Sequence, residues 1–230
     1  MPFMDVGEAM NDLTILYYTA NKIPEYFAKS VREDLIRVTE NKIPIISISQ
    51  KPITFGMNSC VGEIGASAYN VYFQILVGAY LAQTKYVACC EDDTLYSKEH
   101  FTVRPEDDFF FYNINRWILE EFGLFRYRNR TTMCACIAPT GLMISTLEER
   151  FKKYPKDPCT GLAFGEPGRV EPRLRLPVPH MFYFRTQEPI LTFNHRHGLG
   201  NPRKASELDI MQPELHPWGN ASTLWREIHG

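Results

Sequence analysis

Residues 86–96 read YVACCEDDTLY, an apolar run of strand type that delivers three consecutive carboxylates, Glu91, Asp92 and Asp93. A run of this kind is what a strand buried on both faces looks like where it reaches the edge of a sheet. Three mutually repelling acids there form either a solvated turn or a seat for a cation, and the triplet alone leaves both open. Strand alternation sets Glu91 and Asp93 toward one side and Asp92 toward the other, so the pattern reads as acid-x-acid.

Working outward, LTILYYTAN (13–21) is rich in β-branched and aromatic residues and reads as a buried strand. Pro24 suits a first helical turn, and Phe27, Val31, Leu35 and Val38 then mark one apolar helical face. IPIISIS (43–49) is a second strand, ended by QKP. After a loop with Gly56, Asn58 and Gly62, the segment 63–83 places Ile64, Ala68, Val71, Tyr72, Ile75 and Ala79 on one stripe of a helix and Ser67, Asn70 and Gln74 on another. Strand, helix, strand, helix, strand predicts a right-handed, mainly parallel α/β sheet whose strand ends share one edge.

Beyond Phe101 the pattern changes. DFFFYNINRWIL and TTMCACIAP read as strands, and TGLMISTLEERFKKYP as a helix capped by Thr140. Residues 166–204 hold six prolines and seven Lys/Arg against three acids, which predicts extended, locally basic structure. With no repeat or linker, residues 1–230 form one domain: a 13–100 half, a 101–204 half and a 205–230 tail.

A chain of 230 residues with 44% hydrophobic content supports a substantial core. The formal charge of -2 gives no global reason to expect nucleic acid or an anionic membrane. The first residues lack the basic start and apolar run of a secretory signal, and the stretch 71–82 is shorter than the roughly 20 residues that span a bilayer. The expected location is cytoplasmic. Cys60, Cys89, Cys90, Cys134, Cys136 and Cys159 contain no C-x-x-C and read mainly as small buried residues.

In open α/β sheets, ligands bind beyond the carboxyl ends of the strands, and Thr19, Asn21, Gln50 and the acid triplet converge on that edge. No P-loop or G-x-G-x-x-G follows the first strand, so bound phosphates need another source of positive charge. Mg²⁺ or Mn²⁺ on carboxylates is one such source. NHRHGLGNPRK (194–204) offers His195 and His197, two glycines, and a basic pair, Arg203 and Lys204, suited to phosphate oxygens. A basic surface loop with exposed histidines fits the same residues.

These features together resemble metal-dependent, nucleotide-sugar glycosyltransferases of the GT-A type: a βαβαβ start, an acid-x-acid after the third strand, and a late His with basic residues. EDD stands where D-x-D is commoner. CCEDDTLY, GEPGR and a late HG followed by Asn and RK also resemble phage-associated glycosyltransferase-like proteins, some relatives of which decorate hydroxymethylated pyrimidines in DNA. The resemblance covers about residues 13–204 and implies a GT-A-like, Rossmann-type, mainly parallel mixed sheet flanked by helices, with a Pro-rich C-terminal acceptor and metal loop region.

What the resemblance implies for the site is a hexosyltransferase-like enzyme with Mn²⁺ or Mg²⁺ on Asp93, Glu91 and His197. A nucleoside-diphosphate sugar, UDP-linked for preference, would be held by Thr19, Asn21, Gln50, Asn70, Gln74, Glu91, Asp92, Arg203 and Lys204. Glu166, in the turn FGEPGR, is the candidate base for an inverting transfer, with Asp107, Asp108 and Glu171 as competitors. Of Tyr17 and Tyr18, alternation puts one in the core and leaves the other able to stack on a base. The acceptor is DNA, a glycan or a small molecule; Phe182, Tyr183 and Phe184 near the basic segment suit a displaced base. A Mg-dependent nucleotidyltransferase and a non-catalytic nucleotide- or nucleic-acid-binding module are the other readings.

Overall fold

The computed structural model describes residues 12–105, 108–127, 129–156, 164–196 and 209–229. In chain order the elements are β1 (Leu13–Thr19), α1 (Glu25–Thr39), β2 (Ile45–Ser49), β3 (Met57–Cys60), α2 (Ala68–Leu81), β4 (Tyr86–Glu91), β5 (Thr94–Leu95), β6 (Phe109–Asn113), β7 (Arg116–Glu120), β8 (Leu124–Tyr127), β9 (Cys136–Pro139), α3 (Thr140–Lys153), α4 (Glu171–Leu174), β10 (His180–Phe184), β11 (Ile190–Asn194), β12 (Ile210–Gln212) and, after a two-stranded hairpin of β13 (Glu214–Leu215) and β14 (Gly219–Asn220), α5 (Ala221–His229). A short 3-10 turn, Met133–Ala135, leads into β9.

A seven-stranded sheet runs β10-β6-β9-β4-β1-β2-β3, and a five-stranded sheet runs β12-β8-β7-β11-β5. In the larger sheet β1 pairs parallel with both β2 and β4, and β2 with β3. Only β9 runs against its neighbours β4 and β6, so the sheet is mixed and mainly parallel, as expected. Alternation along β1 builds both faces of the core: Leu16 and Tyr18 join the layer beneath α2 and α3, while Leu13, Ile15 and Tyr17 join the layer beneath α1. The expected apolar face of α1 is fully used, since Phe27, Val31, Leu35 and Val38 are all buried.

Three local expectations shift. The second helix begins at Ala68, not 63, because Gly62 and Gly65 take left-handed backbone angles (φ 80° and 85°) that end any helical run upstream. The loop before it contains β3, whose polar sequence MNSC hides an edge strand. Thr140 is the first residue of α3, not its cap; its hydroxyl donates to the Thr84 carbonyl at 2.8 Å. Cys60, Cys89, Cys90, Cys134 and Cys136 are free thiols, four of them buried, and Cys159 lies outside the described residues.

No helix among the described residues is long and apolar enough to cross a membrane. The turn carrying Glu166 is fixed by an ion pair in the core. Arg150 and Glu171 are fully buried, and Arg150 donates to Glu171 and, at 2.8 Å, to the Gly165 carbonyl, while Glu171 accepts from the Gly168 amide at 2.6 Å.

Candidate functional site

The carboxyl ends of β1, β2 and β4 open into a cleft of about 690 Å³, its mouth included. Thr19, Gln50, Asn70, Gln74, Glu91, Asp92 and Asp93 all line it, together with Tyr18, Lys22, Ile23 and His195. The register explains the meeting: Tyr18 stands beside Glu91 across the β1–β4 pair. The Tyr18 hydroxyl donates to Glu91 Oε1 at 2.9 Å, and the Thr19 hydroxyl donates to Asp92. Tyr17, the alternate residue, packs edge-on against Phe55 in the core.

The alternation expected within the triplet does not survive. The strand ends at Glu91, and Asp92 and Asp93 form a turn before β5, so Asp92 faces the same cleft instead of pointing away. The turn feeds β5, which pairs antiparallel with β11, and the Phe193 amide donates to the Asp93 carbonyl at 2.9 Å. That pairing carries the chain past Asn194 and sets His195 Nε2 3.2 Å from Asp93 Oδ2. His197, Arg203 and Lys204 lie outside the described residues. Among the described residues, His195, two residues earlier, is the histidine brought to the acids. Only the non-local β5–β11 contact reveals this; the sequence alone pointed to His197 as the ligand.

Burial and the neighbouring Asp93 charge push the Glu91 carboxyl up to about 8 and Asp92 up to about 7. Arg116, buried at the start of β7 with its Nε unpartnered, and the Tyr18 hydroxyl act against this at Glu91. For His195 burial favours the neutral ring, but the Asp93 hydrogen bond and the charges of Asp93 and Asp92 outweigh it and raise the pKa.

Several polar residues expected at the ligand are engaged in the scaffold of the cleft. Asn21, in a left-handed conformation (φ 53°), accepts from the Gln50 and Lys51 amides, each at 2.8 Å, and ties the β1 and β2 loops together. The Gln50 side chain pairs with both the amide and carbonyl of Gly65. Asn70 donates to the carbonyls of Ile64 and Gly65, and Gln74 to those of Thr19 and Ile48. Ser67 caps α2 by accepting from the Asn70 amide at 3.2 Å. Lys22, an exposed cation just after β1 that no sequence motif marks, also lines the cleft.

Glu166 is absent from the cleft lining and pairs with Arg169 at 3.1 Å. Of its competitors, Glu171 is held by Arg150 and Asp107 lies outside the described residues.

No protein-family model and no curated protein matches the sequence. Among solved structures, the chain is similar to a glycosyltransferase involved in the glycosylation of the major capsid of PBCV-1, with a TM-score of 0.51 and 8% identity over 94% of this chain and 98% of that one. The chain has a glycosyltransferase-like fold. Weaker similarity extends to the bifunctional IspDF from Campylobacter jejuni (TM-score 0.41, 8% identity, 77% of this chain and 50% of that one). It extends also to S. aureus TarS (TM-score 0.39, 9% identity, 80% and 37%).

The cleft brings oxygen donors of the kind a hard divalent cation uses to one edge of the sheet. Three carboxylates and an imidazole share one cleft, and burial, with the neighbouring Asp93 charge, raises the pKa of two of the carboxyls. Among the described residues no group of three or more His, Cys, Asp or Glu side chains is arranged to hold a metal ion. A cation here would take one or two protein ligands and complete its shell with substrate oxygens and water, as Mg²⁺ does on phosphate substrates.

Proposed function

We propose that this protein is a glycosyltransferase that moves a sugar from a nucleoside-diphosphate sugar to an acceptor hydroxyl, with Mn²⁺ or Mg²⁺ at the acid triplet. The observation that carries this reading is the convergence of Glu91, Asp92, Asp93, His195 and Lys22 on the cleft at the carboxyl edge of β1, β2 and β4. The glycosyltransferase-like fold supports it.

Asp93 and Glu91 would hold the cation, which supplies Lewis-acid charge to the donor diphosphate. Asp92, fixed by Thr19, keeps the turn rigid, and His195 orients Asp93 through its Nε2 contact. Lys22 is placed to take a diphosphate oxygen and to stabilise the charge left on the departing nucleotide. Arg203 and Lys204 are proposed to join it. The Asn21, Gln50 and Gln74 bonds hold the loops around the nucleoside in one geometry before it binds. Glu166 remains the proposed base for an inverting transfer, held by Arg169 outside the donor cleft.

The deciding experiment is donor turnover with UDP- and GDP-sugars and nucleoside triphosphates, each with Mn²⁺, Mg²⁺ or EDTA. Cation-dependent release of a nucleoside diphosphate supports glycosyl transfer. Turnover of triphosphates alone would replace it with nucleotidyl transfer, and no turnover of any donor would leave a binding module.

A further inference from the structure

A second pocket, about 620 Å³ with its mouth, is lined by Ile114, Asn129, Arg130, Thr131, Arg169 and Tyr183. Its chemistry differs from that of the donor cleft, with two guanidinium groups, a hydroxyl, an amide and a half-exposed tyrosine ring. Arg169 Nη1 donates to Thr131 Oγ1 at 3.0 Å and to Glu166 at 3.1 Å, which fixes the arginine while its Nη2 edge stays clear of those bonds. A planar guanidinium held in this way, beside a second arginine and a threonine, suits the tetrahedral oxygens of a phosphoryl group.

The pocket is joined to the acid triplet by a chain of polar side chains. Thr94 Oγ1 donates to Asp93 Oδ1 at 3.1 Å and lies 3.2 Å from Thr192 Oγ1, which is 3.8 Å from Cys134 Sγ; that thiol is 3.1 Å from the hydroxyl of Thr132, the neighbour of Thr131. The 129–135 segment therefore reaches the triplet through Thr192 and Thr94 at one end and stands in the wall of the second pocket at the other. Glu166, the proposed base, is bonded to the arginine of that wall.

We infer that this pocket is the acceptor subsite and that it recognises a phosphoryl group on the acceptor, with Arg169, Arg130 and Thr131 on the phosphate and Tyr183 against the adjoining ring. The inference rests on the glycosyl-transfer reading for the word acceptor, but phosphate binding can be read without any transfer. A phosphomonoester on a small molecule and a phosphodiester in a chain present the same oxygens, so both sources have to be probed.

The test is calorimetric titration of the full chain, in EDTA, with inorganic phosphate, ribose 5-phosphate and dimethyl phosphate. Arg169→Gln, Arg130→Gln and Thr131→Val are titrated alongside, after far-UV dichroism shows each folded. The expected result is saturable binding by the wild type, weakened about tenfold or more by Arg169→Gln or Arg130→Gln, as loss of a charged hydrogen bond implies. Preference for ribose 5-phosphate identifies a monoester source, and preference for dimethyl phosphate a diester. No binding, or equal affinity in the wild type and both arginine variants, overturns the inference, and in the second case moves the phosphate elsewhere. Donor turnover measured on the same wild-type preparation separates the two readings. Turnover without phosphate binding here removes this subsite and leaves glycosyl transfer standing; arginine-dependent phosphate binding without turnover does the reverse.

Discussion

The imidazole of His195 lies 3.2 Å from the Asp93 carboxylate, though 102 residues separate them, because β5 leaves the acid turn directly into an antiparallel pairing with β11. The contact raises the His195 pKa, and Asp93 is the main source of that rise against burial. Replacing Asp93 with Asn should move the His195 titration midpoint down, read from the imidazole resonances by NMR. An unchanged midpoint would show that the two side chains do not interact in solution.

The same substitution tests the proposed chemistry. Asp93→Asn should reduce cation-dependent donor turnover by about tenfold to a hundredfold, the range seen when the groups that hold and orient a metal are lost. Asp92→Asn should have a smaller effect, because its visible partner is Thr19. Steady-state kinetics at saturating Mn²⁺ distinguish the outcomes, and wild-type turnover by Asp93→Asn would remove the metal assignment.

Buried carboxyls beside the Asp93 charge make the protein's stability sensitive to pH. Glu91 and Asp92 bind protons more tightly when folded, at about 8 and about 7 against ordinary values of 4.5 and 3.8. The folded state therefore holds more protons between those limits, and their contribution to stability falls as pH rises from about 4 to about 8. His195, also raised, adds a contribution that is complete below its ordinary 6.5 and lost above its folded value. In EDTA the melting temperature should fall from pH 5.5 to pH 8, and Mn²⁺ should raise it more at pH 8 than at pH 5.5. Scanning calorimetry at both pH values checks this, and a cation effect equal at the two would contradict it.

The Arg150–Glu171 pair is a structural test independent of function. Both side chains are buried, and the pair holds the carbonyl of Gly165 and the amide of Gly168. Glu171→Ala leaves an uncompensated guanidinium in the core and should cost about 3–5 kcal/mol in urea unfolding. The double variant Arg150→Met/Glu171→Leu should recover a large part of that loss. A single-variant cost below about 1 kcal/mol would mean that the pair is open to water.

Asn21 separates loop geometry from chemistry. Asn21→Gly preserves the left-handed backbone but removes the acceptor for the Gln50 and Lys51 amides. The expected result is a raised KM for the donor, by about threefold to tenfold, with kcat nearly unchanged, since the loss falls on ground-state placement. A fall in kcat alone would put Asn21 in the chemistry.

Much of the parallel core was legible in the sequence because it is built from local signals. The runs 13–19, 45–49 and 86–91 have the apolar continuity of strands covered on both faces, and Phe27, Val31, Leu35 and Val38 show the helical period of α1. Strand ends then follow from topology, which is why Thr19, Gln50 and the triplet could be assigned to one edge from residue order alone. β3 escaped notice because an exposed edge strand needs no hydrophobic pattern. The extra helical turns at 63–67 were read from periodicity that two left-handed glycines override.

What the sequence by itself determined is the α/β order, the edge at which polar residues gather and the presence of the acid triplet at that edge. The tertiary structure decided which way each acid faces, that His195 and not a later residue among those described meets Asp93, and that Asn21, Gln50, Asn70 and Gln74 brace the cleft with their amides. The division has a physical cause. Strands and helices follow from side-chain periodicity within a few residues, whereas a turn such as Asp92–Asp93 takes its direction from the strand it feeds, and the partner of that strand lies about a hundred residues away in the chain.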